Sequence, residues 1–420
     1  MRRIRFVSIL FITALIIGGI TCGGGEQSPS ESHNHLPTAI SPTSTPEAVT
    51  ITIGNLTDVT GVASNATEIL TMALEDTVDY YNERDKIPGV KLEVRTYDCQ
   101  YDPAKDIPGY EWLKNQGADL IWSPVAQTGI TLKPILEADK MVMILMSPSQ
   151  EAFDPPGWVF AMGQARYDEQ MYTLLDWIAE NDPDFPKDRP AKMGGAMLNE
   201  AAGQAVLESA ESYARNNSEY EWAGSYLVHF TFQWDSQAEA LKDCDYVFPA
   251  VPPQSFVKDY HEAGGKGIYL GPYALAAFMA EVDKLDLWDE MDGTCIISPF
   301  RWWTDDTEYG RLTTLILHDN HPSQSHEIMR AGAGYITVQP VVMLLEAIRE
   351  TVEMVGPQNF SSEDLYNHLQ SFSMTVDGCR HSFSETKRTS NDFLNIHRFD
   401  AERKDLFLAH EGWIPIKKEP

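Results

Sequence analysis

Residues 49–105 read VTITIGNLTDVTGVASNATEILTMALEDTVDYYNERDKIPGVKLEVRTYDCQYDPAK, and their pattern decides the fold. Val49 to Leu56 alternates β-branched and small residues, which predicts a strand. Asp58 to Asn65 is a mostly polar loop. From Thr67 to Asn82 the apolar residues Leu70, Ala73, Leu74, Val78 and Tyr81 recur at helical spacing. Val90 to Tyr97 predicts the next strand.

The same alternation continues outward. A helix is expected over Asp106 to Gln116, a short buried strand over Ala118 to Trp122, a helix over Thr131 to Asp139 and an apolar strand over Met141 to Met146. It restarts after about residue 168 with a helix from Glu169 to Asn181, a strand from Lys192 to Leu198 and a helix from Gly203 to Asn216. Strands follow at Ser225 to Val228, Tyr246 to Pro249, Gly267 to Leu270 and Cys295 to Ser298. Tyr335 to Val355 is a long apolar helix, where Pro340 fits only in the first turn or at a kink. Alternation at this spacing marks βαβ units and a parallel sheet covered on both faces. The expected class is α/β, with two parallel-sheet domains of similar size. Ligand sites in such sheets lie beyond the carboxyl ends of the strands.

Toward the N-terminus, Arg2, Arg3 and Arg5 precede an uncharged apolar stretch from Phe6 to Ile20. At about fifteen residues it is short for a membrane span and suits a secretory signal. Cys22 follows directly, as in a bacterial lipobox, although Ile20 in Gly19-Ile20-Thr21 is bulkier than that box prefers. Residues 1–21 are therefore expected to be a lipoprotein signal peptide, with Cys22 lipidated; plain secretion and an uncleaved anchor are the alternatives. Residues 22–48, rich in Gly, Ser, Pro and Thr, are expected to form a flexible tether. His33 and His35 in it are not expected to hold a metal. No later segment is apolar enough to span a bilayer.

The formal charge is −30, and loss of the signal peptide with its three arginines makes it −33. Such a field repels nucleic acid and anionic surfaces. Besides Cys22 there are Cys99, Cys244, Cys295 and Cys379, with no Cys-x-x-Cys pair. Four cysteines allow three pairings, and export makes one bridge plausible. The pairing expected is Cys295 with Cys379. No Gly-x-Ser-x-Gly, His-Glu-x-x-His or Walker motif is present, so no catalysis and no cofactor is expected.

The segment Ile51 to Thr57, the helix ending in Tyr81-Asn82, the strand Val90 to Val94 and the run Asp98 to Lys105 together resemble the start of the branched-chain amino acid ABC transporter substrate-binding proteins. These are type I periplasmic-binding proteins, Leu/Ile/Val-binding-protein-like. Ala118 to Ile121, Met146 to Ser149, Asn199 to Gln204, Gly271-Pro272 and Ala331 to Tyr335 extend the similarity, which spans roughly residues 50 to 415. The resemblance implies two doubly wound parallel-sheet lobes joined by a three-strand hinge. It places 49–166 and 275–386 in the first lobe, and 167–274 and 387–420 in the second.

It also implies site residues. The loop Ser123 to Gly129 would use Gln127 and Thr128 on a ligand carboxylate; Thr128 also suits a helix N-cap. Ser149 and Gln150 follow the apolar strand, with Glu151 in the last place. A Tyr common in relatives is replaced by Ala202 beside Gly203, so that contact is lost or moved to Asn199 or Glu200. The acid that relatives place after Gly-Pro is Tyr273 here. A buried ammonium without a carboxylate is costly, so either Glu151 or Glu200 supplies the charge or the ligand is no simple α-amino acid. Phe300-Arg301-Trp302-Trp303 offers aromatic walls and a guanidinium clamp, or else both tryptophans pack between helices. Tyr167, at the first crossing, faces the cleft. The expected function is a monomeric, lipid-anchored carrier of a small polar solute, an amino acid or analogue, that docks on ABC transporter permease subunits. The alternatives are a ligand-sensing subunit and a lipoprotein α/β enzyme.

Overall fold

The computed structural model describes residues 48–420 apart from Pro148, Ser149, Phe230, Phe232 and Ala333. The expected signal peptide, Cys22, nearly all of the expected tether and the candidate ligand residue Ser149 therefore lie outside the described residues. Among those described, no helix is long and apolar enough to cross a membrane.

The first lobe opens with β1 (Val49–Thr57), α1 (Ser64–Glu83), β2 (Val90–Asp98), α2 (Asp106–Asn115), β3 (Leu120–Ser123), α3 (Ala126–Asp139), β4 (Met143–Leu145), α4 (Gln150–Phe153) and β5 (Val159–Phe160). Its sheet runs β2-β1-β3-β4-β5, parallel throughout. β1 is buried on both faces from Ile51 onward, as a central parallel strand requires. α1 buries Ala73, Leu74, Val78 and Tyr81, the stripe its periodicity predicts. α3 begins at Ala126 rather than Thr131, because its first turn has small and polar residues and no apolar rhythm.

The second lobe contains α5 (Tyr167–Asn181), β6 (Ala191–Leu198), α6 (Ala201–Asn216), β7 (Tyr220–Val228), α7 (Asp235–Leu241), β8 (Tyr246–Phe248), α8 (Gln254–Glu262), β9 (Ile268–Pro272), a 3₁₀ helix at Tyr273–Phe278, α9 (Met279–Leu285), α10 (Trp288–Met291) and β10 (Cys295–Ser298). The chain then returns to the first lobe with α11 (Glu308–Asn320), α12 (Ser325–Arg330), a 3₁₀ turn at Tyr335–Thr337, α13 (Val338–Val355) and α14 (Ser362–Leu369), followed by the hairpin β11 (Ser373–Val376) and β12 (Cys379–Ser382). It ends in the second lobe with β13 (Phe393–Asp400), β14 (Asp405–Leu408) and β15 (Ile414–Pro415). The second sheet runs β14-β13-β10-β9-β8-β6-β7, with β15 paired to β13; β13, β14 and β15 are antiparallel additions. Pro340 is the third residue of α13, within the first turn, where no intrahelical N–H is lost.

The expected class, two parallel-sheet lobes joined by a hinge, agrees with this architecture. One boundary needs correction. The return to the first lobe does not occur at 275, since β10 pairs with β9 in the second sheet and lies between it and β13. The crossing follows Ser298, and α11 is the next element to pack on α1. The Gly271-Pro272 landmark ends a strand, but two short helices and another strand of the same sheet intervene before the crossing.

The expected Cys295–Cys379 bridge is also corrected. Cys99, Cys244, Cys295 and Cys379 are all buried and free. Cys295 stands at the start of β10, its sulfur 3.1 Å from Nε of Arg398. Cys379 stands in the β11–β12 hairpin, so the two thiols belong to separate sheets.

The crossings run side by side. Ala161 N–H donates to the carbonyl of Arg388 (2.7 Å), Ser390 N–H to that of Ala161 (3.0 Å) and Asn391 N–H to that of Gln164 (3.2 Å). Gly163 N–H donates to Ser390 Oγ at 2.7 Å, and Asn391 Nδ2 to Pro299 O at 3.4 Å, which ties in the third crossing. His381 sits beneath this junction, buried, with Nδ1 donating to Asn391 Oδ1 at 2.9 Å. Burial lowers its pKa to about 4. The unfolded chain protonates this ring near pH 6.5, before the fold does. Stability is thus full above pH 6.5 and falls as the pH drops toward 4, by about 3 kcal/mol at the limit. Urea unfolding of the protein and of His381→Gln at pH 7 and pH 4.5 checks this. The pH-dependent loss is expected to shrink in the variant, and equal losses in both would show that His381 is not the titrating group.

Candidate functional site

Each sheet brings its strand-end loops to the same gap. The first lobe contributes the start of α1, Tyr101 after β2, Pro124 after β3 and Ser147 after β4. The second contributes Met197 to Val206 around the end of β6 and start of α6, Val251-Pro252 after β8, and Tyr273 to Phe278 after β9. Tyr167 closes the hinge side. These residues enclose an inner cavity of about 220 Å³. Its walls are mainly apolar: Val62, Leu70, Met197, Leu198, Val206 and Phe278 among others.

Among the described residues Glu200 is the one charged residue on that wall. It caps α6, its Oε2 accepting from Ala202 N–H at 2.9 Å and Oε1 from Gly203 N–H at 2.5 Å. Gly203 is needed for this turn, because a Cβ there would collide with the carbonyl of Leu198. Burial raises the pKa of Glu200, against the two backbone N–H groups and the Tyr101 hydroxyl, which favour its charge. Tyr101 donates to Glu200 Oε2 at 3.4 Å, a bond from one lobe to the other. Tyr167 hydrogen-bonds Ser147, and burial pushes its phenol well above the usual range. Tyr273 accepts from Gln164 Nε2 at 3.1 Å, and burial pushes its phenol up to about 12.

A second, outer groove of about 490 Å³ lies beside the first. Gln127, Gln150, Glu151 and Asp154 line it from the first lobe, Asp168, Gln204 and Glu208 from the second, and Tyr167 borders both spaces. Gln150 Nε2 donates to Asp154 Oδ2 at 3.1 Å.

Of the candidate ligand residues, then, Tyr167 and Tyr273 line the inner cavity, and Gln127 and Gln150 line the outer groove. Thr128 lines neither. It is fully buried in α3 and donates to Asp106 Oδ1 at 3.0 Å, and α3 has no side-chain cap. Burial raises the pKa of Asp106 to about 6. Asn199 is exposed and accepts from Gln204 Nε2 at 2.7 Å. Trp302 and Trp303 pack away from the cavity, their indole N–H groups donating to Asp405 Oδ1 (2.8 Å) and Gly332 O (3.3 Å). Arg301 lies over the Trp413 ring at 4.5 Å. A strand-end position brings a residue to the lobe's edge, but local backbone direction then decides whether it faces the partner lobe.

Tyr101 and the start of α1 were not singled out from the sequence. The signal that finds them is the strand-end rule applied to the loops after β1 and β2. Gln100 and Tyr101 both take left-handed φ, 54° and 55°, and this turn carries Tyr101 to the wall of the cavity.

The sequence matches the family model described as periplasmic binding protein over residues 50–400. No curated protein matches it. Among solved structures it is similar to a branched-chain amino acid ABC transporter protein from Thermus thermophilus with bound valine, at TM-score 0.74 and 20% identity, covering 88% of this chain and 97% of that one. A fatty acid ABC transporter substrate-binding protein from Thermomonospora curvata superposes at TM-score 0.71 and 18% identity, covering 88% and 95%. A solute binding protein of an ABC transporter from Rhodopseudomonas palustris BisB5, in complex with 3,4-dihydroxy benzoic acid, superposes at 0.70 and 14%, covering 88% and 99%.

Proposed function

The chain belongs to the periplasmic binding protein family, and on that premise we propose that it is the extracytoplasmic solute-binding component of an ABC transporter, anchored by a lipid on Cys22 and delivering a small solute to permease subunits. The observation that carries this is the inner cavity, walled by strand-end loops of both lobes and closed at the hinge. A guest there touches both halves at once, so it binds the closed arrangement better than the open one and shifts the lobes toward closure. Contacts between the halves are already in place, from Tyr101 to Glu200 and from Arg330 on α12 to Asp283 on α9 at 2.7 and 2.8 Å. The closed form is what the permease would receive. The stretch before the described residues supplies the anchor and reach, and the protein acts as a monomer.

Solved proteins of similar fold are described with bound valine, as a fatty acid transporter's substrate-binding protein, and in complex with 3,4-dihydroxy benzoic acid, so a thermal-shift panel should cover amino acids, apolar acids and amines. One class is expected to stabilise the protein without being turned over. At a hundredfold excess over Kd the gain is about 2.7 kcal/mol. Copurification with two permease subunits from the source membrane is the second expected result. A panel without a hit, together with no permease partner, would count against the carrier role.

A further inference from the structure

We propose that the solute of the inner cavity is an organic cation with an apolar body, a substituted or quaternary ammonium, rather than a carboxylic acid. This rests on taking the cavity as the solute site. The first support is the charge on its walls. Among the described residues no Lys, Arg or His lines it, and Glu200 is its single charged group. A carboxylate entering would lose water, gain no cation and face a second carboxylate. An ammonium would also lose water but meets a counter-charge that two backbone N–H groups of α6 hold in place.

The second support is aromatic. Tyr101, Tyr167 and Tyr273 reach the cavity from three separate segments, the loop after β2, the start of α5 and the end of β9. The Tyr101 hydroxyl donates to Glu200, and the Tyr273 oxygen accepts from Gln164. Each of the three residues adds an aromatic ring to the lining of the cavity. Aromatic faces within about 6 Å attract a cation, most strongly where water is excluded. Three such rings and a carboxylate around an apolar space form a cage suited to an alkylated ammonium, whose methyl groups also need apolar contact.

The third support is the approach. Among the described residues the outer groove is lined by Glu151, Asp154, Asp168 and Glu208 and by no Lys, Arg or His. Asp154 and Asp168 share Arg166, at 3.6 and 2.9 Å. Glu151 and Glu208 make no ion pair among the described residues. The chain as a whole carries −30, which concentrates cations and repels anions at such a mouth. Tyr167 borders both spaces, so the acidic groove stands next to the cavity that holds Glu200.

Calorimetric titration of the full chain decides the matter. The probes are benzyltrimethylammonium and phenethylamine against phenylacetate and benzoate, with valine as a zwitterion. The ammonium compounds are expected to bind at least about tenfold tighter than the acids. Glu200→Gln, which keeps one of the two cap acceptors, is expected to weaken them about thirtyfold, or about 2 kcal/mol, and to lower the melting temperature without ligand by about a few degrees. Tyr167→Phe keeps the ring and is expected to keep the affinity, whereas Tyr167→Leu loses about tenfold. Tighter binding of the acids would overturn the cation assignment and leave the carrier role standing. No binding by either class would remove both. Unchanged ammonium affinity in both Glu200→Gln and Tyr167→Leu would overturn the cage.

Discussion

Gly332→Ala is expected to destabilise the protein by about 2–5 kcal/mol and to displace the wall of the inner cavity. Gly332 has φ +94°, and an added Cβ would collide with the carbonyl of Ala276 and come within 3.1 Å of the Cα of Ala277. A left-handed φ costs a residue with a Cβ about 1–2 kcal/mol by itself. The collision adds about 1–3 kcal/mol of overpacking, because backbone cannot turn aside as a side chain does. The two segments come from different halves: Gly332 lies between α12 and the turn before α13, and Ala276 lies in the 3₁₀ helix that follows β9. That helix supplies Tyr273, Ala274, Ala277 and Phe278 to the cavity, so relief of the clash moves the site. Gly293→Ala is the control. Gly293 also has positive φ, 76°, but a Cβ there meets nothing within 4 Å, so only the conformational cost of about 1–2 kcal/mol should appear. Urea unfolding reads both, and scattering detects an opened pair of lobes. Equal losses in the two variants would mean that Gly332 and Ala276 are not in contact in solution.

Arg388→Met is expected to cost about 3 kcal/mol. Arg388 lies in the last crossing and is 3% exposed. Its Nε donates to Gly157 O at 2.6 Å, one terminal nitrogen to Ser384 O at 2.6 Å and the other to the Tyr366 hydroxyl at 3.1 Å. The guanidinium also lies over the rings of Phe160 (4.6 Å) and Tyr366 (5.5 Å). It makes no ion pair among the described residues, so neutral dipoles and ring faces hold the charge. Burial accordingly lowers its pKa. Methionine fills much of the volume but leaves two buried carbonyls without donors, each worth about 1–3 kcal/mol. Relief of the charge's desolvation offsets part of that. Arg388→Lys is expected not to restore stability, since one ammonium cannot reproduce a planar fork between three acceptors. A loss below about 1 kcal/mol for methionine would mean that the desolvation term balances the hydrogen bonds.

The Val49–Thr57, Ser64–Glu83, Val90–Asp98 succession was legible because its information is local. A strand buried on both faces must be apolar or small along its length, and a helix lying on it must repeat its apolar residues every three or four positions. The strands after residue 373 were not legible. They are short, and β13 to β15 join the second sheet as antiparallel additions from the far end of the chain. The misplaced crossing at 275 has the same origin, since nothing local to Gly271-Pro272 tells that Cys295–Ser298 will pair with β9.

The site divides along the same line. That a solute would lie beyond the strand ends follows from the alternation of elements, whereas Tyr167 was singled out at the first crossing and Tyr273 through the family resemblance. Which neighbours turn toward the gap was decided by packing. Thr128 turns inward to Asp106, Trp302 is held by Asp405, and Glu200 reaches the cavity because it caps α6. The sequence by itself determined the order of strands and helices in the first part of the chain, its formal charge and the edge of each lobe where chemistry gathers. Only the tertiary structure decided that one carboxylate and three tyrosines share the wall of one apolar space. Periodicity acts between residues a few positions apart along the chain, whereas that meeting depends on two sheets and a hinge bringing together residues 33 to 172 positions apart.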